Sequence, residues 1–286
     1  MSTSPRPEPL PAGLPADRTL VMGVVNVTPD SFSDGGRWLD PELAAAHGLQ
    51  LIAQGADLLD VGGESTRPGA ERVTPDAETA RVVPVIEQLT RVGAVVSVDT
   101  VHAATAQAAI EAGAAIVNDV SGGLADPGMH PLVARTGVVY VCQHWRGDPS
   151  TMDRLTDYGG DVVAGVEAEL RERLAELAEA GVDPAQVVLD PGLGFAKTHD
   201  QSWQLLAATD RLVTDLGRPL LVGASRKRFL AIAVDPAVAA EPTARDAVTA
   251  ATSALAAAAG AWAVRVHEVP ASVDAVRTAS LWKEHR

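Results

Sequence analysis

Near the C-terminus, Arg265-Val266-His267 sets a permanent cation two residues from a titratable imidazole. The apolar run Ala261-Trp262-Ala263-Val264 before it reads as a buried strand. Pro270-Ala271-Ser272 after it reads as a helix start, since proline suits a first helical turn. Side chains alternate along a strand, so Arg265 and His267 face one side and Val266 the other. A cation, an imidazole and unpaired helix N–H groups on one spot make an anion site. A surface ion pair beside an ordinary histidine uses the same residue types, so the rest of the chain decides between them.

Other chemistry-bearing residues also follow short apolar runs. Asn26 ends the first run and precedes the loop Thr28 to Gly36, which holds Asp34. Gly62 to Gly69, with Glu64, Ser65, Thr66, Arg67 and Pro68, follows the second. Then come Asp99, Asn118 with Asp119, and Gln143 with His144 and Arg146. Asp190 opens the segment to Phe195, Ala196 and Lys197; Ser225-Arg226-Lys227 follows the seventh run and Arg265 with His267 the eighth. Some of these residue types serve as caps and turn formers anyway. As a ring they form an acidic or amide wall (Asp99, Asn118, Asp190) and a basic wall (Lys227, Arg265, His267). The first suits a ligand rich in N–H donors, the second a phosphate or pyrophosphate. The expected ligand is a nitrogen heterocycle carrying a phosphate leaving group.

A parallel barrel would position such a ring. The eight runs are Leu20 to Val25, Leu58 to Val61, Ala94 to Val98, Ala115 to Val117, Val138 to Cys142, Val187 to Leu189, Leu220 to Val222 and Ala263 to Val266. Most are continuous rather than alternating, as in strands buried on both faces of a parallel sheet. Helical segments separate them: 41–54, 76–92, 103–112, 127–135, 160–180, 200–216, 243–259 and 271–282. Eight such units predict a single-domain (β/α)8 TIM barrel over 19–286, with its chemistry at the strands' C-terminal ends. An open doubly wound sheet fits less well, because no G-x-G-x-x-G follows the first strand. Residues 1–18, with prolines at 5, 7, 9, 11 and 15, read as a disordered tail.

The 286 residues carry a formal net charge of -14, so a basic footprint for nucleic acid is missing. An anionic ligand must then be held by a local Arg/Lys cluster. Cys142, the only cysteine, permits no intrachain disulfide and reads as a small buried residue. No signal-peptide pattern and no membrane-length apolar run stands out, so a soluble cytoplasmic protein is expected.

Seven segments in order carry a family resemblance: Asn26 to Gly36, Asp60 to Gly69, Ser97 to Thr100, Asn118 to Gly123, Asp190 to Gly192 with Gly194-Phe195, Ser225 to Lys227, and Arg265 to His267. Through them the chain resembles the dihydropteroate synthases, pterin-binding enzymes of folate biosynthesis. The likeness runs from Val21 to about Ala271. It implies condensation of 6-hydroxymethyl-7,8-dihydropterin pyrophosphate with p-aminobenzoate by dissociative loss of pyrophosphate. It implies pterin contacts from Asp99, Asn118, Gln143, Asp190 and Lys227, and pyrophosphate contacts from Asn26, Arg265 and His267. Asn26 would also touch a Mg²⁺ ion. Ser65, Thr66, Arg67, Pro68 and Phe195 would take p-aminobenzoate, and Asp34, Arg67, Asp99 and Lys227 would serve catalysis. A homodimer is the family's usual state. A non-catalytic paralogue would be expected to lose part of this set, and a pterin-dependent methyltransferase has no reason to keep a pyrophosphate site.

The chain departs from the family where Gln143 replaces a common methionine, Glu268 an aspartate and Ala196 a glycine. Ser225 is expected to cap the next helix and Arg226 to be structural. His144 reads as a hydrogen-bonded strand-end residue, and His102, His130, His199 and His285 as helix or loop surface residues.

Overall fold

The computed structural model describes residues 11, 14–28, 41–64, 73–148 and 151–286. Asp34, Ser65, Thr66, Arg67 and Pro68 lie outside the described residues, as does most of the 1–18 segment. Within that segment, Leu14 packs against a core cluster and Arg18 grips Asp57 with two bonds of 2.7 Å.

Eight parallel strands are present: β1 (Leu20–Asn26), β2 (Leu58–Gly62), β3 (Val96–Asp99), β4 (Ile116–Asp119), β5 (Val139–Gln143), β6 (Val187–Asp190), β7 (Leu221–Val222) and β8 (Ala263–Val266). Hydrogen bonding runs in the order β6-β5-β4-β3-β2-β1-β8-β7. A bridge between Leu189 and Leu220 joins the two ends, so the sheet closes into a (β/α)8 barrel. Each strand can be continuous in apolar residues because both of its faces are covered, as β2 shows with all five residues buried.

The helices are α1 (Pro41–Ala53), α2 (Pro75–Arg91), α3 (Ala103–Glu111), α4 (Met129–Thr136), α5 (Val162–Glu179), α6 (His199–Ala207), α7 (Thr209–Leu216), α8 (Asp246–Ala258) and α9 (Val269–Glu284). The helix expected over 200–216 is broken at Ala208. There the Thr209 hydroxyl donates to the Leu206 carbonyl at 2.7 Å, offering the backbone a local alternative to the helix ladder. The helix expected from Thr243 starts at Asp246, after a 3₁₀ turn over Pro242–Arg245. The buried Arg245 stabilises that turn by donating to the carbonyls of Arg226 and Ala239, each at 2.8 Å. Among the described residues no helix is long and apolar enough to cross a membrane.

Alternation then sorts the barrel interior by height. Leu20, Met22, Leu58, Ile116, Val139, Val141, Val188, Leu221 and Ala263 belong to one apolar cluster with Trp262. Steps of two along the same strands, from that cluster toward their C-terminal ends, reach Asn26, Asp60, Asn118, Gln143, Asp190 and Arg265. The apolar layers make the floor, and the polar residues rise from it.

Candidate active site

Arg265 is the centre of this polar layer. Its Nε donates to Asp60 Oδ2 at 2.6 Å and its Nη2 to Asp99 Oδ2 at 2.7 Å. Asn118 Nδ2 donates to the same Asp60 oxygen at 3.0 Å. The acidic and basic walls expected from the sequence are therefore interlocked, not opposed. Two carboxylates share one guanidinium because an ionised group inside a protein needs a partner. Burial pushes Asp99 up to about 7, against the pull of Arg265 and with a further push from Asp60. Burial works against the charge on Arg265, and Asp60 and Asp99 more than restore it.

Asp190, at the end of β6, is 3% exposed. Its Oδ1 accepts from Gly192 N–H at 2.7 Å, and no hydrogen bond within the described residues engages Oδ2. Burial raises this carboxyl, and Lys227 and the Gly192 bond oppose the rise. Lys227 Nζ donates to the Leu193 carbonyl and lies 4.5 Å from the centre of the Phe195 ring. Burial lowers Lys227 to about 8, with Asp190 holding it up. A Cβ on Gly223 would stand 3.5 Å from Asp190 Oδ2 and 3.8 Å from Lys227 Nζ, so the absence of a side chain there leaves this corner open. Gln143, level with Asp190 in the strand register, donates through Nε2 to Val120 O at 3.2 Å, which leaves its amide oxygen available. Asn26 ends β1 half-buried, its amide without a hydrogen bond among the described residues.

On the other side of Arg265, two expectations need correcting. Ser225 caps no helix. Its hydroxyl accepts from the His267 backbone N–H at 3.1 Å and meets His267 Nδ1 at 3.0 Å. The N-terminus of α9 is not a free anion cradle either. Glu268 is its N-cap and accepts from Ala271 N–H at 3.0 Å, so a carboxylate already occupies the end of the helix. Cationic anion-binding capacity in this corner rests on Arg265. Arg226 pairs with Asp246 through two bonds of 2.6 and 2.7 Å and is structural.

His102 and His130 are not plain surface groups. His102 Nδ1 lies 2.9 Å from Glu78 Oε2, and His130 Nε2 lies 3.1 Å from the Gly122 carbonyl. Cys142 is fully buried, and burial pushes its thiol far above the usual range.

Sequence reasoning assigns no role to Asp60 or Lys197. Asp60 carries a signal, an acid inside an otherwise apolar strand, which must find buried partners. Lys197 carries none. It is 7% exposed, with Nζ 2.9 Å from both His144 Nδ1 and the Phe195 carbonyl. Burial lowers it to about 7, against the pull of Asp190. His144 Nε2 in turn lies 3.0 Å from Glu169, which also binds Arg146. Burial and then Lys197 lower His144 to about 4, so at neutral pH it is an uncharged link in this chain. This hydrogen-bonded series meets the Phe195 backbone at its carbonyl, through Lys197.

The arrangement offers a free buried carboxylate oxygen, two amides and a lysine around one opening, beside a guanidinium and an imidazole. That is a site for a flat ring with N–H donors attached to an anion. The chain matches the family of pterin binding enzymes over residues 22–267. It is 53% identical over 265 residues to the dihydropteroate synthase of Mycobacterium leprae, covering 92% of this chain and 93% of that one. The Xanthomonas albilineans dihydropteroate synthase solved with 4-aminobenzoic acid superposes at a TM-score of 0.85 with 43% identity, covering 99% and 98% of the two chains. The same enzyme in complex with 7,8-dihydropteroate gives 0.83 and 41%, with 98% of each chain covered. Family match, relatives and site geometry agree, and the chain belongs to the dihydropteroate synthases, the pterin-binding transferases of folate synthesis.

Proposed function

We propose that the reaction is condensation of 6-hydroxymethyl-7,8-dihydropterin pyrophosphate with p-aminobenzoate to 7,8-dihydropteroate and pyrophosphate, by dissociative loss of pyrophosphate in the barrel mouth. The observation that carries it is the buried Asp190 with one oxygen free, on the same polar layer as Arg265. An ionised carboxylate accepts only, so Asp190 suits the paired N–H donors of an amino-pyrimidinone edge. Asn118, Asp99 and Gln143 contact the other ring positions, and protonated Lys227 donates to the ring carbonyl. Arg265 and His267 hold the pyrophosphate. As the C–O bond to the leaving group breaks, positive charge spreads over the ring nitrogens and the Asp99 carboxylate stabilises it. The p-aminobenzoate amine then attacks the exocyclic carbon, forming the C–N bond, and the ammonium so formed loses its proton to water. Phe195 lines the p-aminobenzoate side; of the residues outside the described ones, Ser65, Thr66, Arg67 and Pro68 are the further p-aminobenzoate contacts, and Asp34 joins Asp99 in stabilising the cation. The active unit is a homodimer in the cytoplasm.

Mg²⁺ fits the donor set in a restricted way. No three His, Cys, Asp or Glu side chains among the described residues converge to hold a metal. Mg²⁺ usually keeps several waters and takes substrate phosphates, so the Asn26 amide oxygen is a sufficient contribution from this strand end. When bound, the ion supplies charge stabilisation on the leaving pyrophosphate.

The direct test follows pyrophosphate release from pterin pyrophosphate with Mg²⁺, with and without p-aminobenzoate. Release that depends on p-aminobenzoate and yields dihydropteroate is expected. Pterin binding with no release would overturn the synthase reading.

The reaction needs Asp99 ionised and Lys227 protonated, with values of about 7 and about 8. The profile of kcat/KM against pH is then expected to rise as pH passes 7 and to fall above 8. A flat profile between pH 5 and 7 would refute the role of the Asp99 carboxylate.

Tyr158 gives a smaller prediction. Its hydroxyl donates to the Ala196 carbonyl at 3.1 Å, where Ala196 takes φ of 49°, a conformation that costs a non-glycine residue about 1–2 kcal/mol. Tyr158→Phe releases this strained neighbour of Phe195. A KM for p-aminobenzoate raised by about 3- to 10-fold is expected, from a bond worth about 1 kcal/mol. Unchanged p-aminobenzoate kinetics would show that Phe195 needs no such support.

A further inference from the structure

Asp60 has no role in the scheme above, yet the site is built on it. It lies mid-strand between Leu59 and Val61 and is wholly buried. One of its oxygens, Oδ2, takes Arg265 Nε at 2.6 Å and Asn118 Nδ2 at 3.0 Å together. The other, Oδ1, is buried without a hydrogen-bond partner, and so is the hydroxyl of Ser97, its register partner on β3. In the sheet order, β2 lies two strands from β4, which carries Asn118, and two strands from β8, which carries Arg265. Asp60 is the midpoint of a brace across the barrel interior.

The division of the guanidinium matters. Nε is committed to Asp60 and Nη2 to Asp99, while Nη1 has no hydrogen bond among the described residues. A guanidinium is planar, so holding Nε fixes the plane in which the outer nitrogens can present N–H groups. An arriving anion can take Nη1 and draw Nη2 from Asp99, while the Asp60 bond stays as the pivot. The same oxygen fixes the Asn118 amide, leaving its Oδ1 to face the ring.

We infer that Asp60 is a positioning residue that sets the spacing between the pyrophosphate arm, Arg265, and the pterin arm, Asn118, across the one bond that must break. It touches neither half of the substrate. This rests on the assignment of Arg265 and Asn118 in the proposed function. Misplacement by about 1 Å at such a site costs on the order of 100-fold in rate.

D60N and D60A separate geometry from charge. In D60N the amide oxygen replaces Oδ2 and keeps both donors, and the NH₂ group falls where Oδ1 has no partner. In D60A both donors are released. Expected is a kcat for D60A lower by about 100-fold, restored to within about tenfold of wild type in D60N. Titration with inorganic pyrophosphate alone, which needs no spacing to a second group, should change by less than about tenfold in D60A. Turnover by D60A within about threefold of wild type, or D60N as slow as a folded D60A, overturns the inference. Should D60A not fold in a thermal scan, a double-mutant cycle of N118A and R265A on kcat carries the test with Asp60 intact. Residues braced by one oxygen should couple by more than about threefold, and simple multiplication of their losses overturns the inference. Titration of R265A with pyrophosphate separates the two readings. Wild-type affinity there removes Arg265 as the anion arm and the inference with it, whereas lost affinity beside a fully active D60A removes Asp60 alone.

Discussion

Asp190→Ala is expected to lower kcat/KM by about 30- to 1000-fold, or about 2–4 kcal/mol of transition-state binding. The magnitude follows from what is left behind. A pterin edge without its acceptor keeps two buried N–H groups unpaired, and an unpaired buried donor costs far more than an average hydrogen bond contributes. The alternative is that Asp190 only shapes its loop, since Oδ1 already accepts from Gly192 at the turn where Gly192 takes φ of 65°. Asp190→Asn distinguishes the two. An amide can keep the Gly192 bond through its oxygen, but it then turns an NH₂ group toward the ligand, donor against donor. Loss in D190N comparable to that in D190A, with an unchanged thermal midpoint, fits recognition of the ring. Near-normal kinetics in D190N would reduce Asp190 to a turn former.

Parts of this site are legible in the amino-acid sequence because of period and position. Eight apolar runs, most of them continuous and nearly every one followed by a hydrogen-bonding or charged residue, leave few architectures, and the (β/α)8 barrel follows from them. Asp190, Asn118 and Arg265 can be placed at strand ends because alternation fixes which side a strand residue faces. Side-chain pairing is not legible. Arg265 and Asp60 are 205 positions apart, and barrel shear brings them within 2.6 Å. The expected anion cradle at the helix start fails for a local reason. Glu268 stands out in the sequence only as a departure from the family, yet its carboxylate accepts from Ala271 N–H as an N-cap. Ser225 misleads because a serine before a helical segment usually caps it. Here the segment that follows is a 3₁₀ stretch over Arg228–Ala233, and the hydroxyl turns to His267. The burial of Lys197 has no sequence signal, because a lysine beside glycines and a threonine reads as solvated. The cost of burying it is met by two acceptors and by the Asp190 carboxylate.

Arg265→Ala is expected to abolish tight pyrophosphate binding, a loss of more than about 100-fold in a calorimetric titration, since charge-assisted bonds are worth about 1.5–3 kcal/mol each. It carries a second signature that an ordinary anion-site variant would not show. Asp60 and Asp99 lose the cation between them, and breaking a buried pair leaves an uncompensated charge that destabilises by about 3–5 kcal/mol. That penalty must depend on pH. Without Arg265 the Asp99 carboxyl rises further above its usual range, because burial and the neighbouring Asp60 then act unopposed. A carboxyl whose folded-state value is raised favours the folded state only while it is protonated. The deficit of R265A should therefore stay nearly level up to about pH 7, where Asp99 is protonated in wild type as well, and should widen above it toward pH 9. Urea midpoints for wild type and R265A across that range read it directly. R265K restores one charge but not the fork, so it should recover much of the stability at pH 8 while pyrophosphate binding stays weak. A stability deficit that is constant up to pH 9 would mean that the ionised Asp99 does not depend on Arg265, and unchanged pyrophosphate titration would remove Arg265 from the anion site. The two outcomes are independent. The first reads how the polar layer is held together in the folded chain, and the second reads whether the chemistry uses it.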